Sequence, residues 1–346
     1  MIGNKRAVRV TSVLGAVFCL LCNGCNPDQG SGTGEKKPEE APRFISMGTA
    51  PSGGAFFVVG NAIASVLTEN RGSASWTVQP VVSKGTQQNI RDLDKGDILI
   101  GMSNAAIGYY AVNGEGIWDR AYRIRSICTL APNIGVFITK SDSGIMQLSD
   151  LKGKRVAVGP AGAGFEAFLG PILTAHGVEY TADSTAFTAV PADYSVAVQL
   201  LGDGDIDAAF IGGAIPTPAV VQAATTMNIR FINFDETIRR KLIEEYEFFQ
   251  DAVIPARNAE GQPIYKGLDS EYPTMNVGSM QLITHADVSE ALIYEITKII
   301  WENRQAIAAQ HPAGRSINES NVAKFVGTEF HPGAIRFYKE IGIWQE

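Results

Sequence analysis

The stretch RVAVGPAGAG (155–164) decides the fold when it is set beside FISMGTAPSGG (44–54). Each runs from a short apolar strand into a glycine-rich turn. After the first come Phe56, Val59, Ile63, Val66 and Leu67, three and four residues apart, which predicts an amphipathic helix. After the second, residues 165–176 read as a helix stopped by Gly177. The correspondence extends outward. Thr77–Pro80 and Thr188–Pro191 each end a strand on proline, and Gly96-Asp97-Ile98 and Gly204-Asp205-Ile206 each lead into a further apolar strand. Gly54 to Gly164, Thr77 to Thr188 and Gly96 to Gly204 are 110, 111 and 108 positions apart. This near-constant offset predicts two similar α/β lobes, each a mostly parallel sheet with helices on its faces.

A helix that starts behind a glycine-rich turn presents unpaired backbone N–H groups and the positive end of its dipole. Each lobe is therefore expected to offer an anion-binding mouth, and two mouths across a cleft suit a small carboxylate. Ser103 and Asn104, at the end of an apolar strand, serve either as helix caps or as polar contacts to a solute. Asn89 has the same two readings. Lys84 is either a solvated loop lysine or the positive partner of a carboxylate.

The amino terminus reads as an address. Lys5, Arg6 and Arg9 precede an apolar run of about 13 residues, well short of the roughly 20 that a spanning helix needs, so residues 1–24 are expected to be a secretory signal. Gly24-Cys25 resembles the end of a bacterial lipobox, with Cys22 standing where leucine is usual, and predicts lipidation of Cys25. Residues 25–43, rich in Gly, Pro and charge, read as a flexible tether. Removing the signal takes away three of the 29 basic residues and none of the 36 acidic ones, so the charge goes from -7 to 26 minus 36, or -10. An acidic chain of this kind is not expected to bind nucleic acid. Cys128 alone then remains unmodified, and it reads as a buried apolar thiol.

Catalytic patterns are weak by comparison. GAGFEA (162–167) fits the G-x-G-x-x-A dinucleotide fingerprint, but Asp183 precedes the next apolar strand, whereas the fingerprint's acid ends one. The four histidines are far apart and form no zinc-binding spacing; His311 and His331 each precede proline, as helix-end positions do. There is no G-x-S-x-G. Glu244-Glu245-Tyr246-Glu247 reads as a solvated helix face. No catalytic residue, metal site or cofactor is expected.

Gly48-Thr49, Ser52-Gly53-Gly54, Gly85-Thr86 with Asn89, Ser143-Gly144-Ile145, Leu151 to Val156, Gly159-Pro160, Asp207 to Phe210, Pro216-Thr217-Pro218, His311-Pro312-Ala313 and His331 to Ala334 occur in an order that resembles the TAXI family of TRAP-transporter solute receptors. The likeness spans residues 44–346. It implies an α/β fold of the type II-like periplasmic-binding-protein kind, with a ligand cleft between two lobes. It places 44–138 plus 240–346 in lobe I and 139–239 in lobe II. It also implies an extracytoplasmic receptor without enzymatic activity, which passes a small carboxylate or amino-acid-like solute to a TRAP-type membrane permease. The alternative is a periplasmic sensor read by a membrane signalling partner. The solute contacts it implies are Thr49, Ser52, Gly53, Gly54, Phe56, Phe57, Thr86, Asn89, Ser103, Asn104, Ala163, Gly164, Phe165, Glu166 and Pro216. Two tyrosines are common where this chain has Phe56-Phe57, and Gly-Ser-Gly-Thr-Glu where it has Gly162-Ala163-Gly164-Phe165-Glu166. The lost hydroxyls predict a less polar carboxylate, held by the backbone N–H groups of Gly53, Gly54 and Gly164.

Overall fold

The computed structural model describes residues 44–51, 54–181, 185–258 and 260–344. The signal, the tether, Cys25, Ser52 and Gly53 lie outside them. In chain order the first half runs β1 (Phe44–Gly48), α1 (Ala55–Glu69), β2 (Thr77–Val81), α2 (Thr86–Lys95), β3 (Ile100–Asn104), α3 (Ala105–Asn113) and β4 (Ile124–Thr129). The middle runs β5 (Ile134–Lys140), β6 (Arg155–Ala157), α4 (Glu166–Ala175), β7 (Thr188–Val190), α5 (Tyr194–Asp203), β8 (Ala208–Gly213), α6 (Pro218–Thr226), β9 (Ile229–Phe231) and α7 (Glu236–Glu245). The rest is β10 (Phe249–Ile254), β11 (Tyr272–Val277), β12 (Met280–His285), α8 (Glu290–Glu302), α9 (Arg304–Gln310) and α10 (Pro332–Glu340).

Two sheets carry the same motif. The first has the order β2-β1-β3-β12-β4 and the second β10-β11-β5-β8-β6-β7, with β9 also paired to β5. Strands β2-β1-β3 and β7-β6-β8 are parallel triplets at the offsets seen in the sequence, and each is flanked by one antiparallel strand, β12 or β5. The central strands β3 and β8 are buried on both faces, as parallel strands covered by helices must be.

The chain passes between the sheets twice, at 130–133 and 278–279, and the two passages are hydrogen-bonded to each other. Leu130 N–H donates to Met280 O (2.7 Å), Met280 N–H to Ala131 O (2.8 Å), and Val277 N–H to Asn133 O (2.8 Å). Strands β10 and β11, which the sequence groups with the first lobe, belong to the second sheet because β11 pairs with β5. That pairing joins residues roughly 140 apart, which no local pattern encodes.

Helix-end chemistry follows the sequence closely. His311 and His331 are N-caps with proline in the first turn, and each Nδ1 accepts an amide, from Ala313 and Gly333 respectively. Tyr246 departs from the solvated-face reading: α7 ends before it, and its ring packs on Phe248 and Phe249.

Cys128 is a buried free thiol in β4, and burial pushes its pKa from 9.0 up to about 12. Because the folded value lies above the unfolded one, the protonated thiol favours the native state. That contribution is complete below pH 9 and is lost as pH rises toward 12. At pH 8 folded residues 26–346, in which Cys128 is the single cysteine, are expected to leave a thiol reagent unconsumed and to react fully once unfolded in guanidinium. Native labelling at the unfolded rate would contradict this burial.

Candidate functional site

A cavity of about 330 Å³ lies between the two sheets. Four helix N-termini open onto it: α1 through Gly54, Ala55 and Phe56; α2 through Gly85 and Thr86; α5 through Asp193, Tyr194 and Ser195; α6 through Pro218 and Ala219. Each helix starts there for a local reason. Glycine precedes α1 and α2, Asp193 precedes α5, and Thr217-Pro218 opens α6 with proline in the first turn, where its missing N–H costs nothing. Phe56, Phe165, Pro51, Pro160 and Ala163 supply apolar wall. Lys84 and Asp193 are the charged residues of the lining, and both are exposed.

Hydrogen bonding decides which polar side chains remain free for a solute. Asn104 Oδ1 accepts from the amides of Ala106 (2.9 Å) and Ile107 (3.3 Å), while its Nδ2 donates to the carbonyls of Val277 (3.3 Å) and Gly278 (2.9 Å). All four of its side-chain positions are taken, so it caps α3 and ties that helix to the second passage. Thr49 Oγ1 donates to Val81 O (2.9 Å). Thr86 Oγ1 accepts from Asn104 N–H (2.9 Å) and keeps its own proton to donate. Burial raises the pKa of Tyr194, and a hydrogen bond with the Gly212 backbone partly offsets that rise.

The predicted residues divide. Thr49, Gly54, Phe56, Thr86, Asn104, Ala163 and Phe165 line the cavity. Phe57, Asn89, Ser103, Gly164, Glu166 and Pro216 are not among its lining residues. Asn89 lies one turn inside α2 and neither caps it nor reaches the cavity; its Nδ2 donates to Thr49 O and Met102 O, both at 2.8 Å, joining the ends of β1 and β3. The Ser103 hydroxyl donates to Asn104 O beneath α3. Pro216, exposed, follows a cis peptide bond. Glu166 is exposed and sits in the first turn of α4, where its charge meets the helix dipole.

In the second lobe the first turns of α5 and α6 line the cavity, whereas α4 contributes its cap residue Phe165 and not its first turn. The loop before α4 lines the cavity with Pro160 and Ala163 and also bears on the first lobe. Gln87 N–H donates to Ala163 O (3.4 Å), and a Cβ built on Gly164 would lie 3.2 Å from Gln87 Cβ, Ile107 Cγ2 and Ile117 Cδ1. Asn133, Asp193, Tyr194, Ser195, Gly212, Gly213 and Gln222 are lining residues that the sequence reading missed. The repeat itself held the signal for one group, since α5 follows β7 as α2 follows β2.

Two repeated α/β sheets joined by a double passage, with a cavity between them, define the two-lobed fold of solute-binding proteins. The chain belongs to the NMT1-like family, whose pattern matches residues 47–342. Among solved structures it is similar to XAC2383 from Xanthomonas citri bound to chloride ion. The identity there is 10%, covering 87% of this chain and 96% of that one, with a TM-score of 0.50. It is also similar to the alkanesulfonate-binding protein SsuA from Xanthomonas axonopodis pv. citri bound to MOPS (14% identity, 87% and 79% covered, TM-score 0.48). An ABC transporter, periplasmic substrate-binding protein from Coxiella burnetii shows 14% identity, 80% and 98% coverage and a TM-score of 0.42. At 10% identity the likeness to XAC2383 bears on the fold alone. No helix among the described residues is long and apolar enough to cross a membrane, and none of their His, Cys, Asp and Glu side chains gather in threes that would hold a metal.

Proposed function

We propose that the chain is an extracytoplasmic receptor, tethered through a lipid on Cys25, which captures a small carboxylate or amino-acid-like solute and hands it to a TRAP-type permease. The observation that carries this reading is the cavity at which four helix N-termini from both lobes converge, with Lys84 as its cation. Amide donors and helix dipoles supply attraction for an anion that the acidic chain as a whole does not. Predominantly apolar walls favour a less polar acid. The lobes of the proposal follow the sheets, 44–129 with 280–344 and 134–277, and close about the passages at 130–133 and 278–279. The sequence motifs shared with TAXI receptors support the TRAP partner.

A thermal-shift screen of aliphatic, aromatic, hydroxy, oxo and amino acids on residues 26–346 tests the receptor reading. A true solute at about 100 times its Kd is expected to add about 2.7 kcal/mol of stability. No shift from any acid sinks it. Transport is then tested in proteoliposomes with the candidate permease, where uptake is expected to need an ion gradient and no ATP.

A further inference from the structure

Asn133 closes the first passage between the lobes, immediately before β5. Its backbone is fully engaged, with N–H donating to Asn276 Oδ1 at 2.9 Å and the carbonyl accepting from Val277 N–H at 2.8 Å. The side chain lines the cavity and the residue is only 4% exposed, yet its carboxamide has no hydrogen-bond partner among the described residues. The other buried polar residues of the lining, Thr49, Thr86 and Asn104, all hold protein partners. Gly212 stands beside it: a Cβ there would lie 2.9 Å from Asn133 Oδ1 and 3.3 Å from the Tyr194 hydroxyl, so the missing side chain lets both polar groups approach.

A buried carboxamide offers one acceptor and two donors, and leaving them unpaired opposes binding of any ligand that seals it from water. An unsubstituted aliphatic acid has nothing to offer it once its carboxylate is engaged at the helix mouths. We infer that Asn133 is a specificity-determining residue and that the solute is a small acid bearing a second hydrogen-bonding group, a hydroxyl, oxo or amino substituent, that meets the Asn133 carboxamide. This inference rests on the receptor reading above. It adds to that reading the substituent and the residue that selects it.

The test is calorimetric titration of wild type, Asn133→Ala and Asn133→Leu with three matched probes: 3-methylbutanoate, 2-hydroxy-3-methylbutanoate and valine. Because the Asn133 side chain makes no hydrogen bond among the described residues, both variants are expected to keep the unliganded melting profile, which serves as the folding control. Wild type is expected to prefer a substituted probe to 3-methylbutanoate, and both substitutions to weaken that probe by ~10–100-fold while changing 3-methylbutanoate less than threefold. Equal losses for substituted and unsubstituted probes, or a wild-type preference for 3-methylbutanoate, would overturn the role of Asn133 and leave the receptor reading standing. If wild type binds none of these probes and no acid in the wider screen, the receptor reading fails and this inference falls with it.

Discussion

Gly164→Val is expected to weaken solute binding by about one to two orders of magnitude while leaving both lobes folded. Gly164 lies on the second lobe at φ +87°, and its missing Cβ would already stand 3.2 Å from three carbons of the first lobe, on Gln87, Ile107 and Ile117. Valine adds two methyl groups beyond that point. Overpacking of a tight contact costs about 1–3 kcal/mol, and each 1.4 kcal/mol is a factor of ten in affinity. The positive φ adds a separate penalty of about 1–2 kcal/mol for any residue with a side chain. The two effects separate experimentally. Backbone strain lowers the melting temperature without solute, whereas the blocked contact lowers affinity and keeps the solution radius of gyration large when solute is added. The measurement uses the acid that gives the largest thermal shift; unchanged affinity with full compaction would show that this contact does not govern closure.

Asn104→Ala is expected to be the most destabilising single change at the cavity wall. It removes the cap of α3, worth about 1 kcal/mol, and strips the buried carbonyls of Val277 and Gly278 of a donor, at about 1–3 kcal/mol for an unpaired buried group. A total near 2–4 kcal/mol corresponds to a fall of roughly 5–10 °C in Tm for a domain of this size. Asn104→Asp keeps the acceptor for α3 but sets a buried carboxylate oxygen against the carbonyls of Val277 and Gly278, so its Tm is expected to fall at least as far as that of alanine. An alanine variant melting within about 1 °C of wild type would show that the four hydrogen bonds are replaced by water at little cost. Both predictions concern residues that the sequence pointed to as solute contacts and that the structure uses to join the lobes.

The split between what was legible and what was not follows the range of the interactions. Strand, glycine turn and helix are local, so FISMGTAPSGG and RVAVGPAGAG, with their 110-residue offset, were enough for two repeated α/β lobes. Caps are local too: His311 and His331 stand where their following prolines place them. Phe56 and Phe165 line the cavity as apolar wall. Whether a given helix mouth faces the cavity is not local. Glu166 and α4 satisfy the sequence signal for an anion site, yet the α4 loop packs against Gln87 and only its apolar residues reach the cavity, while the first turns of α5 and α6 open onto it. Asn89 and Asn104 are indistinguishable from free ligand contacts in the chain, because the carbonyls that occupy them belong to residues 13 to 174 positions away.

By itself, then, the sequence determined the repeat and the helix caps, since each depends on neighbours within a turn or a strand. Only the tertiary structure decided that β10 and β11 join the second sheet, that the first turns of α5 and α6 and not that of α4 line the cavity, and that Asn133 is the buried polar side chain of the lining left without a partner among the described residues. Each of those depends on pairing between residues far apart in the chain, whose geometry is set once both sheets have formed and the two passages have locked together.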